Sequence, residues 1–189
     1  MDGVSELPLA IHEDLFSEAE GRDGALAEAV AGHFAGIDAE ADPLALWNSA
    51  LEGGDEKNGE RLIREHPSAQ CIKCHKLGGE GGEAGPNLDR IGRRVDRAYL
   101  LRSMMQPSAE YAKGWAVVTL TLDDGSTVTG TLLDENEERL RVRIGEEERD
   151  IAATQMTSRK TTPSAMPVMA PLLTRSEARD LVEYLHRLR

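Results

Sequence analysis

Aromatic residues are scarce in this 189-residue chain, with two Trp, three Tyr and two Phe, and cysteine occurs only twice. So few rings leave a thin apolar core for a chain of this length, which is long enough for one full core plus a smaller second unit. Basic residues are also outnumbered: 22 Lys and Arg stand against 34 Asp and Glu, a formal charge of −12. That surface is a poor partner for nucleic acid or an anionic membrane. No run of about 18 apolar residues is present, so no segment is expected to span a bilayer. The N-terminus, Met1-Asp2-Gly3-Val4, lacks the basic and long apolar regions of a secretory leader. The glycines at 78, 79, 81 and 82 are not followed by Lys-Ser/Thr, which excludes a phosphate-binding loop.

Both cysteines fall in one hexapeptide, Gln70-Cys71-Ile72-Lys73-Cys74-His75. On a helix, positions i, i+3 and i+4 share one face, so Cys71, Cys74 and His75 would point at the same object. Two thiols at this spacing can add across the two vinyl groups of a porphyrin, with the adjacent imidazole on the iron. The expectation is one covalently bound haem c, which would also make up the shortfall of aromatic core. A thioredoxin-like redox pair should follow a buried strand, whereas the preceding residues read as helix then proline. A structural zinc site needs a second ligand pair, but His12, His33, His66 and His186 are scattered singly. Thioether attachment takes place outside the cytoplasm, so the protein is expected to be periplasmic or otherwise extracytoplasmic, with its native leader or a larger N-terminal part absent from this sequence.

Residues 1–52 are acidic and alanine-rich, with helical patches over 23–34 and 43–51, and read as a helical extension or the end of a helical array. Asp55 can cap a helix to about His66, its face formed by Gly59, Leu62, Ile63 and His66. A glycine there costs about 1 kcal/mol relative to alanine, which close approach of another helix would justify. After the glycine-rich loop, read as a flexible wrap around a flat cofactor, the carbonyl of Pro86 is a candidate acceptor for the second ring N–H of His75. A plain turn proline is the alternative. Asp96 caps a helix carrying Leu100, Leu101, Met104 and Met105, in which the methionines are expected to pack in the core. From Trp115 the period changes to two. Segments over 115–122, 126–133, 139–144 and about 150–156 predict a small antiparallel unit with one wet face. Thr174 and Glu177 form a capping box for a last helix with the stripe Ala178, Leu181, Val182, Leu185 and Leu188.

The order helix, Cys-x-x-Cys-His, Gly-Pro-Asn-Leu, helix, Met-Pro, helix resembles a class I cytochrome c. More closely, Gly53-Gly54-Asp55 through His66-Pro67-Ser68-Ala69-Gln70-Cys71, Tyr99-Leu100-Leu101 through Pro107-Ser108-Ala109, Asp124-Gly125 and Met166-Pro167 are similar to the haem-binding domain of the planctomycete and verrucomicrobial type. The resemblance implies a mainly α cytochrome c fold over 53–189, with 113–158 as a small antiparallel β insertion and 1–52 as an N-terminal helical extension. It implies that Cys71 and Cys74 carry the thioethers, His75 is the proximal ligand, Pro86 orients it, Met166 is distal, and Arg93 or Arg94 reaches a propionate. Leu62 departs from the pattern, standing where an aromatic is common in the first helix. Pro163 and Pro167 stiffen the backbone around Met166, which favours it over Met169 as the sulfur ligand. The function implied is a monohaem electron carrier rather than an enzyme, taking single electrons from a dehydrogenase module and passing them to another cytochrome. A haem peroxidase or gas sensor with an open or displaceable distal site is the alternative, and the β unit could itself be a docking module for the dehydrogenase.

Overall fold

In the computed structural model, which describes residues 3–189, Asp55 ends the chain's approach to α3 (Glu56–Glu65) by accepting the amides of Lys57 at 2.8 Å and Asn58 at 3.2 Å. These are donors that the first turn cannot satisfy itself. The C-terminal helix α5 (Arg175–Arg187) opens on the expected capping box, Thr174 with Glu177, and buries Ala178, Leu181, Val182 and Leu185. The two helices cross at Gly59. A β-carbon there would collide with the carbonyl oxygen of Asp180 and lie 2.7 Å from Cβ of Tyr184, so the expected close approach is made by α5. Asp180, itself buried, accepts the amide of Asp55 at 2.8 Å and the side-chain amide of Asn58 at 2.6 Å, placing a carboxylate at the positive end of α3.

The chain divides into two units, one comprising residues up to Met105 together with Val168–Arg189, the other Gln106–Pro167. The first also contains α1 (His12–Ala19), α2 (Ala25–Ala35) and α4 (Arg97–Met105). Residues 3–52 pack within this unit. Glu13 is 4% exposed and accepts from the hydroxyls of Ser49 at 2.8 Å and Ser176 at 3.1 Å, with Arg175 Nε at 3.4 Å. Helix α1 has no counterpart among the helical patches read from the sequence, because Leu15, Phe16 and Ala19 are its only apolar positions. The stretch over 43–51 is a 3₁₀ helix, Ala45–Leu51, whose last carbonyl accepts from Arg97 at 3.1 Å. Glu183, 5% exposed on α5, receives Arg97 at 2.5 Å and Arg187 at 2.7 Å, so α4 is bound to α5 by a partly buried ion pair as well as by apolar packing.

The second unit overturns the expectation of a mainly α fold. Strands β3 (Val117–Leu122), β4 (Thr127–Glu135), β5 (Arg139–Ile144), β6 (Glu147–Ala152) and β7 (Met156–Thr161) make a five-stranded antiparallel sheet in the order β6-β5-β4-β3-β7. The protein is therefore mixed α/β. Val118, Leu120, Val128, Leu140, Val142 and Ile151 form a core of the sheet's own, with Leu122, Leu132, Ile144 and Met156 packed against it. The segment read as one piece over 150–156 is cut by a 3₁₀ turn, Ala153–Gln155, after which β7 pairs with β3. Strand β7 escapes sequence reading because it is polar after Met156, Met-Thr-Ser-Arg-Lys-Thr, with its central four residues exposed. The opposite face is wet as expected, with Thr119 and Thr129 hydroxyls 2.9 Å apart and Arg141 bidentate on Asp150 at 2.8 and 2.9 Å.

Candidate functional site

Helix α3 ends at His66, whose ring then organises the approach to the cysteines. Its Nδ1 accepts the amides of Ser68 at 3.2 Å and Ala69 at 3.0 Å, and Gln70 donates its side-chain amide to the carbonyl of Pro67 at 2.8 Å. Gln70 takes a left-handed conformation, φ 46°, and the chain enters a 3₁₀ turn, Cys71–Lys73. Rather than an α-helix, the motif occupies this one tight turn. The amides of Cys74 and His75 both donate to the carbonyl of Cys71, at 3.1 and 3.0 Å, which keeps the three residues together on a single turn.

Neither thiol is in a disulfide; Cys71 is half-buried and Cys74 exposed. Burial pushes the Cys71 thiol up, and the neighbouring Cys74 adds to the shift. A thioredoxin-like nucleophile needs the reverse, a thiol depressed toward neutrality. Among the described residues, no group of three His, Cys, Asp or Glu is arranged to hold a metal ion, so the zinc reading has no donor set there.

The ring of His75 lies with Nδ1 2.8 Å from the carbonyl oxygen of Pro86. A carbonyl only accepts, so Nδ1 carries the proton and Nε2 presents a lone pair. Nε2 has no hydrogen-bond partner among the described residues. The ring is held from beside as well: a β-carbon on Gly85 would sit 2.7 Å from Cε1 and 2.9 Å from Nδ1 of His75, while the Gly85 amide donates to the carbonyl of Cys74 at 2.8 Å. Only glycine lets the backbone lie this close to the imidazole.

The glycine-rich stretch is a hairpin rather than a flexible wrap. Strands β1 (Lys76–Leu77) and β2 (Glu80–Gly81) are joined by Gly78 and Gly79 at φ 63° and 86°, the left-handed pair a two-residue turn requires. It is tied back onto the motif, with the Gly82 amide on the carbonyl of Ile72 at 2.9 Å and the Leu88 amide on that of Lys76 at 2.9 Å. The Gly78 amide, 2.7 Å from Asp89 Oδ1, holds that carboxyl below the usual range.

The structure thus brings together Cys71, Cys74, His75 and Pro86. Arg93 ends a 3₁₀ turn, Ile91–Arg93, in the same unit, and its exposed side chain has no hydrogen-bond or ion-pair partner among the described residues. Arg94 is committed to the carbonyls of Asn87 at 2.5 Å and Asp89 at 3.3 Å. Met166 belongs to the sheet unit, half-buried, its amide on the Ser164 hydroxyl at 3.2 Å. Met169 belongs to the helical unit and is 4% exposed; Met104 and Met105 are buried on α4. Sequence reasoning missed the roles of Gly85 and His66. Gly85 stands immediately before the proline singled out as acceptor, and His66 falls at the end of a capped helix just ahead of Pro67. No protein-family model matches the chain, and no curated protein matches it.

Proposed function

We propose that the protein is a monohaem c-type electron carrier, with haem attached through Cys71 and Cys74 and ligated by His75. The observation that carries this reading is the imidazole of His75: its tautomer is set by Pro86, its ring is bracketed by Gly85, and its Nε2 lone pair is open. A metal-ligating histidine characteristically donates its other ring N–H to a fixed acceptor, which orients the ring and raises its basicity. The two free thiols belong to the turn that the amides of Cys74 and His75 close on the carbonyl of Cys71, a spacing that fits covalent addition. Bound there, haem supplies a one-electron iron couple. Arg93 supports the reading as an uncommitted cation for a propionate, and Met166 is the sulfur ligand of this proposal. The partners that suit this role are a dehydrogenase donor and a cytochrome acceptor in an extracytoplasmic compartment. No helix among the described residues is long and apolar enough to cross a membrane.

The test is haem staining of denatured protein after acid-acetone extraction, followed by an optical spectrum. Retained stain with low-spin ferric iron and a sulfur charge-transfer band is expected. Porphyrin released by extraction overturns the thioether assignment, and a high-spin ferric spectrum moves the reading to an open-site haem protein.

A further inference from the structure

His66 joins the two halves of the helical unit in a way that neither helix propensity nor the haem motif requires. The ring is buried, its side chain 8% exposed, and both nitrogens are engaged. Nδ1 accepts from the amides of Ser68 and Ala69, so it is unprotonated and the ring proton lies on Nε2. Nε2 faces Glu177 Oε1 at 3.5 Å. Glu177 uses its other oxygen, Oε2, for the amide and hydroxyl of Thr174 at 2.9 and 3.0 Å, the capping box of α5. Although partial burial works against the charge, the Thr174 hydrogen bonds and His66 hold the Glu177 carboxyl below its ordinary value. A continuous chain of polar contacts therefore runs from the turn entering Cys71, through His66 and Glu177, to the first residue pair of the C-terminal helix.

Resting on the proposed haem site, we propose that His66 is a positioning residue: through Glu177 it ties the turn that carries Cys71, Cys74 and His75 to the N-terminus of α5. The turn needs such a tie. It is entered through Gln70 in a left-handed conformation that an L-residue adopts only under constraint, and α3 has already ended at His66. A ligand whose ring orientation must persist through oxidation and reduction is served by a carrier segment held from both ends. Pro86 and Gly85 hold it after His75; His66 and Glu177 hold it before Cys71.

Two conservative variants cut the link without removing what surrounds it. Glu177→Gln keeps an amide oxygen for Thr174 and so keeps the capping box, but presents an N–H donor to the donor on Nε2. His66→Asn keeps an oxygen where Nδ1 accepts the Ser68 and Ala69 amides, but stops short of residue 177. In the full chain, hydrogen exchange of the amides of Cys74 and His75 should accelerate about tenfold in each variant, and no further in the double variant. In haem-loaded protein the two single variants should shift the midpoint potential in the same direction by similar amounts. Wild-type exchange in Glu177→Gln, or effects that multiply in the double variant, overturns the proposal. The exchange cycle decides this independently of the haem stain, which decides the reading on which it rests.

Discussion

The amide of Met169 donates to the carbonyl of Met104 at 3.0 Å, closing the helical unit on either side of the whole sheet unit. The two chain ends that bracket Gln106–Pro167 are therefore held side by side by the helical unit's own backbone. Replacing 106–167 with a short Gly/Ser linker should leave that unit folded, with its helical circular dichroism and covalent haem retained. Since Met166 leaves with the excised segment, the sulfur band should be lost. Loss of the helical signal instead would show that the unit depends on the sheet.

Met166 and Met169 should separate in their effects. Met166→Ala should abolish the sulfur band with little change in unfolding free energy, because the side chain is only half-buried. Met169→Ala should keep the band and cost about 3 kcal/mol, the usual penalty for truncating a buried methionine. Optical spectra and urea titrations on the two variants measure both quantities, and the opposite pattern transfers the ligand role to Met169.

At the crossing of α3 and α5, Gly59→Ala introduces a methyl group against the backbone carbonyl of Asp180, which cannot rotate away. Overpacking of this kind costs up to about 3 kcal/mol, against about 1 kcal/mol regained in helix propensity. A net loss of about 2 kcal/mol in denaturant unfolding is expected. A stabilised Gly59→Ala would mean that the helices have room to part.

Gly85→Ala tests the bracket on His75. The added methyl would press on Cε1 and Nδ1 and push the ring off the Pro86 carbonyl. Nitrogen-15 shifts of the imidazole in haem-free protein should show Nδ1–H replaced by a mixture of tautomers, and haem-loaded protein should show an altered spectrum. Unchanged ring shifts would remove Gly85 from the set of positioning residues.

Acid should destabilise the fold in two windows. Burial alone would raise the Glu183 carboxyl, but hydrogen bonds from Arg187 and Arg97 outweigh it and hold the folded value down. Its contribution is present above the ordinary glutamate range near pH 4.3 and is lost as pH falls through the lower folded value. His186 is depressed by burial and by Arg97 and Arg189, so the unfolded chain takes up that proton first. Stability should decline as pH falls below about 6.5. Unfolding curves across pH should flatten in the lower window for Glu183→Gln and in the upper one for His186→Gln.

Much of the helical unit is readable residue by residue. Asp55, the Thr174–Glu177 box, the α3 face with its glycine, and the adjacency of Cys71, Cys74 and His75 all express interactions between groups within about four positions of one another. The hairpin at Asp124-Gly125 has the same origin: Gly125 takes φ 82° while the two flanking strands alternate. Helix α1 is different. Its Glu13 is buried only because Ser49, Ser176 and Arg175 arrive from distant parts of the chain, and nothing in His-Glu-Asp-Leu-Phe announces that.

Composition and local pattern by themselves determined where α3, α4 and α5 begin, where the period changes to two, and that Cys71, Cys74 and His75 lie together. Tertiary structure alone decided that the protein is mixed α/β, that His66 meets Glu177, and that Met166 and Met169 belong to different units. The reason is physical. Strand β7 is held by backbone hydrogen bonds to β3, which a polar sequence forms as well as an apolar one once a neighbour is in register. A side chain's long-range partner likewise depends on where the backbone of another segment arrives, and short-range periodicity carries no information about that.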